Sequence, residues 1–156
     1  MAAGLTQKGN LPQHLRELSQ LVGRKVEPEE LLSLAETEAM RAQGMTVQRQ
    51  PSWQCERRFS DKRSARFGRL LQAFRERNPS PVYLWTPLSN DCGFLRPVPL
   101  SDVRFDFDFS VNKDGMLVLL TTDLQDRMLL DFSEGPDAEQ LLEVEVAGAH
   151  WGPATY

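Results

Sequence analysis

The apolar residues of this chain change their spacing once, at Asn78-Pro79-Ser80-Pro81, and that change limits the folds open to it. Upstream they recur at the three-and-four spacing of helices, and downstream they alternate as on strands. Two prolines within four residues also make the switch a physical break. In the upstream half, Leu11, Leu15, Leu18 and Val22 form one stripe of an amphipathic helix, with Pro12 near its start and Gly23 near its end. A second helix is expected after Pro28, with Leu31, Leu34, Ala35 and Ala39 inward and Gly44 as its stop. Met45 to Arg58 is polar, contains Pro51, and reads as an extended connector that brings Trp53 back to the core. A third helix, from about Asp61 to Arg77, carries Phe67, Leu70, Leu71 and Phe74 on one face, with Ser60 as its N-cap. Its polar surface is Lys62, Arg63, Arg66, Arg69 and Arg75.

In the downstream half, Val82-Tyr83-Leu84-Trp85-Thr86 is a short strand ended by Pro87, and Ser89-Asn90-Asp91-Cys92-Gly93 is a turn or loop. Val103, Phe105, Phe107 and Phe109 alternate with Arg104, Asp106 and Asp108, the pattern of a half-buried strand. Asn112-Lys113-Asp114-Gly115 reads as a hairpin connection, because Asp-Gly tolerates the positive φ of tight turns. Met116 to Thr122 is apolar on both faces and fits a central strand, and Arg127 to Phe132 follows as another. Leu142, Val144 and Val146 alternate with Glu143 and Glu145 in a last strand. Helices first, then strands with short connections, predict an α+β fold: N-terminal helices packed on a C-terminal antiparallel β-meander of about four to five strands. A parallel α/β fold needs helices between its strands, and the connections leave no room for them. At 156 residues one domain is expected, with 1–78 mainly helical, 79–151 the antiparallel β part and 152–156 a tail.

Charge divides along the same line. Residues 49–77 hold nine Lys/Arg against three Asp/Glu, whereas 78–156 hold four against thirteen, a polarity that the overall net charge of −4 conceals. Fields of this kind steer encounter and select partners more than they stabilise a fold. Asp106, Asp108, Glu143 and Glu145 lie opposite the apolar side chains of their strands, and with the loop residues Asp114, Asp123, Asp126 and Asp131 they outline an acidic surface suited to a basic partner. Such side chains diverge from a flat sheet, so a metal centre is not expected, and neither is a cofactor. Trp151, in the Gly/Ala-rich stretch after the last strand, is read either as a lid over the sheet's end or as an interface anchor, with His150 beside it a polar terminus.

The basic set, Lys62, Arg63, Arg66 and Arg69 foremost, is dense enough to attract phosphates. No nucleic-acid recognition module accompanies it, so nucleic acid is the lesser reading for this helix. Cys55 and Cys92 have no CxxC or zinc spacing and read as reduced thiols. Phosphate-binding loops, nucleophile elbows and HExxH helices are missing from the sequence, and the chain reads as a binding protein, not an enzyme. Its longest apolar run, Met116 to Leu120, is too short for a bilayer, and its start lacks the apolar core of a signal peptide, so a cytosolic protein without membrane contact is expected.

In general form the chain resembles the small immunity proteins of bacterial polymorphic and contact-dependent toxin systems. The likeness runs over residues 82–151 and is carried by Val82-Tyr83-Leu84-Trp85-Thr86, Asp114-Gly115-Met116-Leu117-Val118-Leu119-Leu120 and Asp126-Arg127-Met128-Leu129-Leu130-Asp131-Phe132. It implies a protein that neutralises a cognate toxin, often a nuclease with a basic cleft, by covering the toxin's site with acidic residues.

Overall fold

The computed structural model describes residues 2–47, 52–58, 65–104, 116–134 and 140–152. Helix α1 spans Ala2–Val22, a 3-10 turn Pro28–Glu30, helix α2 Leu34–Val47, strand β1 Ser52–Arg58, and helix α3 Ala65–Arg77. Strand β2 (Val82–Trp85), the one-turn helix α4 (Ser89–Cys92), a 3-10 turn at Leu100–Asp102, and strands β3 (Met116–Thr121), β4 (Asp126–Glu134) and β5 (Gln140–Gly148) follow. The five strands form one antiparallel sheet in the order β1-β5-β4-β3-β2. The fold is α+β, as the change of period predicts.

The meander from β2 to β5 follows the downstream alternation, but the sheet is not confined to the second half. Residues 52–58, expected as a connector, are β1, which pairs with β5 from Ser52 opposite Ala147 to Arg58 opposite Leu141. The expected strand 103–109 and the hairpin at 112–115 fall largely outside the described residues, and Val103 closes the 3-10 turn before it. Ser89–Cys92 forms a helical turn, with Gly93 at φ +99° continuing the chain into a segment that runs along β2. There Val82 and Val98 exchange both backbone hydrogen bonds, which shields the exposed edge that β2 would otherwise present.

The sheet's two faces are covered by different helices. On one, Leu18 and Leu21 of α1 and Phe67, Leu70 and Phe74 of α3 bury Leu117, Leu119, Met128, Leu130, Leu142, Val144 and Val146 in the main core. The predicted stripes of α1 and α3 therefore face inward, although α1 starts earlier than expected and holds Pro12 in its interior. Gly23, at φ +65°, ends α1 in the left-handed conformation typical of a helix C-terminus. On the other face α2 makes a smaller core, in which Val47 meets Leu120 and Ala147.

The contact face of α2 differs from the expected one. Leu34, Ala35 and Ala39 are exposed, and Thr37, Gly44 and Val47 are buried. The helix begins six residues after Pro28 and continues through Gly44, because that glycine is a point of contact and not a stop. A Cβ there would come within 2.9 Å of Leu120 Cδ2, so a larger residue would force the Leu120 side chain or the helix to shift. Thr37 anchors the other end by accepting a hydrogen bond from Phe94 N–H at 3.0 Å.

Candidate functional site

The part of the α2-bearing face that the helix leaves uncovered carries the acidic residues. Along β5, Leu142, Val144 and Val146 are buried while Glu143 is exposed and Glu145 half-buried, as period-two alternation dictates. The ladder sets Glu143 opposite Asp131 of β4 and, on its other side, opposite Glu56 of β1. Asp131, anticipated as a loop residue, is in mid-strand and half-buried. Three acidic residues thus occupy one cross-strand row about 10 Å wide. Like charges directly opposite each other oppose sheet formation. Neither Asp131 nor Glu143 makes an ion pair among the described residues. Glu145, one row along, differs: it supports the charge of Arg127, against which burial works.

Other residues of the expected acidic surface lie elsewhere. Asp106, Asp108 and Asp114 are outside the described residues. Asp126 and Trp151 are fully buried and belong to no surface. They meet where the β3–β4 turn, the exit of β5 and the start of the α3–β2 link converge. Asp126 Oδ1 accepts from the backbone N–H groups of His150 at 2.9 Å and Trp151 at 2.7 Å; Oδ2 accepts from Asn78 Nδ2 at 2.6 Å and lies 2.9 Å from His150 Nδ1. Trp151 Nε1 donates to Phe74 O at 2.9 Å, and its ring stacks obliquely on Phe74 with centroids 5.5 Å apart. Of the two readings of Trp151, the lid over the sheet's end is the one its burial supports.

Asp123 is exposed yet held in the same network by Thr121 Oγ, which donates at 2.6 Å, by Asn78 Nδ2 and by Gln125 N–H. Partial burial acts to raise its carboxyl, and donors from Thr121, Gln125, Asn78 and Ser80 outweigh that, keeping it below the usual carboxylate range. A signal for this network is present in the strand parity. Asp126 shares its phase with Met128 and Leu130, and Thr121 with Leu117 and Leu119, which places both polar side chains on the core face.

The basic helix and the acidic row do not meet. α3 lies in the core layer on the opposite face of the sheet, with Arg69, Arg75 and Arg77 exposed. Lys62 and Arg63 are outside the described residues, as is the side chain of Arg66, so of the expected phosphate-binding set Arg69 alone is placed.

A third polar cluster lies where α1, α2 and α4 come together. His14 is fully buried; its Nε2 contacts Gly93 O at 2.8 Å, and its Nδ1 has no hydrogen-bond partner among the described residues. The carbonyl can only accept, so Nε2 donates to it. Burial lowers the His14 pKa, raises that of Glu17 one turn along, and raises the Cys92 thiol. A thiol shifted upward is a poor nucleophile. The Asp126–His150 pair likewise has no nucleophile in its network, since the Thr121 hydroxyl is bound to Asp123.

The sign of the His14 effect is testable. Its folded pKa lies below the unfolded value near 6.5, so its contribution is complete above that value and is lost as pH falls toward the folded pKa. Glu17, shifted upward, acts with the opposite sign: its contribution is lost as pH rises above its ordinary value. Urea unfolding at neutral and mildly acidic pH should show stability falling on acidification. His14→Gln, which retains a donor for Gly93 O, should remove part of that fall, and an unchanged pH profile would contradict the assignment.

Among the described residues, no helix is long and apolar enough to cross a membrane. Comparison with protein-family models, with curated proteins and with solved structures gives no match.

Proposed function

We propose that this chain is a protein-binding module of the toxin-neutralising immunity type, which docks a basic partner on the part of the sheet face that α2 leaves uncovered. The observation that carries this reading is the row of Asp131, Glu143 and Glu56. It places acidic residues side by side where an ordinary solvated strand would alternate or pair its charges. A basic partner surface removes that repulsion on binding and gains speed of encounter from the field. The surface in this proposal is narrower than the sequence suggests: Asp131 and Glu143 form its centre and Glu145 its margin. The network around Asp126 serves the fold.

The reading places a toxin gene beside the gene for this chain in a bacterial genome. Expression of that neighbour should arrest growth, co-expression of this chain should restore it, and the two proteins should purify as a 1:1 complex. The pair Asp131→Lys and Glu143→Lys should weaken the complex by at least about 100-fold and abolish protection, with unfolding behaviour retained. Full protection by the charge-reversed protein would end this proposal.

A further inference from the structure

Next to the acidic row the same face offers an apolar recess. α2 covers the row containing Tyr83, Leu120, Arg127 and Ala147; the next row is Trp85, Val118, Leu129 and Glu145, and the next Met116, Asp131 and Glu143. Where the flank of α2 stands over the second row, Glu38, Arg41, Ala42, Met45 and Trp85 line a groove of about 370 Å³. Met45 is 53% exposed, and Met116, a neighbour of Asp131 in the ladder, is 39% exposed. The two charged side chains at the rim neutralise each other, Arg41 Nη2 lying 3.1 Å from Glu38 Oε1. The face therefore grades from a net-neutral recess at the β2 edge to Asp131 and Glu143, which make no ion pair among the described residues.

Building on the reading of the acidic row as a protein-docking surface, we propose that recess and row form one interface. Its occupant is a basic segment of a protein partner, which inserts one large apolar side chain between Met45 and Trp85 and sets Lys or Arg against Asp131 and Glu143.

The spacing suits such a ligand. Asp131 stands two strands and one row from Trp85, and Glu143 three strands and one row, so anchor and cations are separated by roughly 12–16 Å. Two to three turns of a helix span about 11–16 Å. Charge complementarity selects the occupant: a purely apolar segment would leave the carboxylates facing uncharged surface, and a polyanion would be repelled. A second copy of this chain would bring Asp131 and Glu143 into the same interface as their own counterparts, because a two-fold contact uses one patch twice. Flexible thioether side chains such as Met45 and Met116 adapt to an inserted side chain at little cost.

Three labelled peptides of about twelve residues test this by fluorescence anisotropy. One is Lys-rich with a single Phe, one has that Phe replaced by Ser, and one keeps the Phe but carries Glu for Lys. The first should bind in a salt-sensitive manner, the second about tenfold more weakly, and the third not at all. Met45→Glu and Glu143→Lys should each weaken the first peptide by about tenfold or more, and Met45→Glu, which adds an acidic group, should not weaken the second peptide. If Glu143→Lys abolishes binding and Met45→Glu has no effect, the joint interface is wrong while the acidic docking surface stands. If Met45→Glu abolishes binding and Glu143→Lys has no effect, both readings fall. No binding by the first peptide overturns the proposal. A dimer in sedimentation that Met45→Glu disperses also overturns it, by making the face a self-interface.

Discussion

Replacing Asp126 with alanine should destabilise the protein by about 3–5 kcal/mol, the largest loss expected from a single polar substitution among the described residues. The carboxylate is wholly buried and accepts from Asn78 Nδ2 and from the backbone N–H groups of His150 and Trp151. Removing it strands those buried donors, and each buried unsatisfied group costs about 1–3 kcal/mol. Asp126→Asn keeps an acceptor but turns an N–H₂ toward groups that are themselves donors, so a smaller loss of about 2 kcal/mol is expected. Urea unfolding reports both values. A loss below about 1 kcal/mol for the alanine variant would show that the carboxylate is not what holds this end of the sheet.

Trp151→Ala should lose a comparable amount, about 3–5 kcal/mol, for a different reason. The indole is fully buried against Phe74, so truncation leaves a cavity at the end of the core and deprives Phe74 O of its donor. Trp151→Phe fills most of the space and loses the hydrogen bond, for about 1–2 kcal/mol. The two sites are joined through the Trp151 N–H bond to Asp126, so the double alanine variant should lose less than the two single variants combined. Strict additivity would show that lid and carboxylate act independently.

What the sequence conveys depends on where each element finds its partner. β3, β4 and β5 are visible because their apolar alternation reflects a face buried by neighbours close in the chain. α1 and α3 are visible because Leu18, Leu21, Phe67, Leu70 and Phe74 recur at helical spacing against that face. β1 is hidden: Ser52-Trp53-Gln54-Cys55-Glu56-Arg57-Arg58 has the charge content of an edge strand, and its partner β5 lies far along the chain. α2 is misread because it meets the sheet through Gly44 and Val47 and the segment after α4 through Thr37, a close approach and a hydrogen bond in place of an apolar stripe. Within the candidate site, the outward phase of Glu143 and Glu145 is legible from period two alone. The central place of Asp131 is not, since it follows from the register between strands. The recess beside Trp85 depends on how α2 sits over the sheet, which no local pattern encodes.

The pairing of Ser52–Arg58 with the last strand has a consequence for how the molecule comes into being. On a ribosome the first half of the chain emerges with a strand that has nothing to pair with, and it waits until β5 has been synthesised. The lock that Trp151 and Asp126 form at the sheet's end is delayed for the same reason. Contacts of such long range are formed late and against a large loop-closure entropy. Assembly of the sheet therefore waits for β5, and the acidic row, which joins Glu56 to Glu143 and Asp131, exists only once β5 has paired. A chain whose synthesis has not passed β5 lacks that row, so on the reading proposed above partner recognition cannot precede β5.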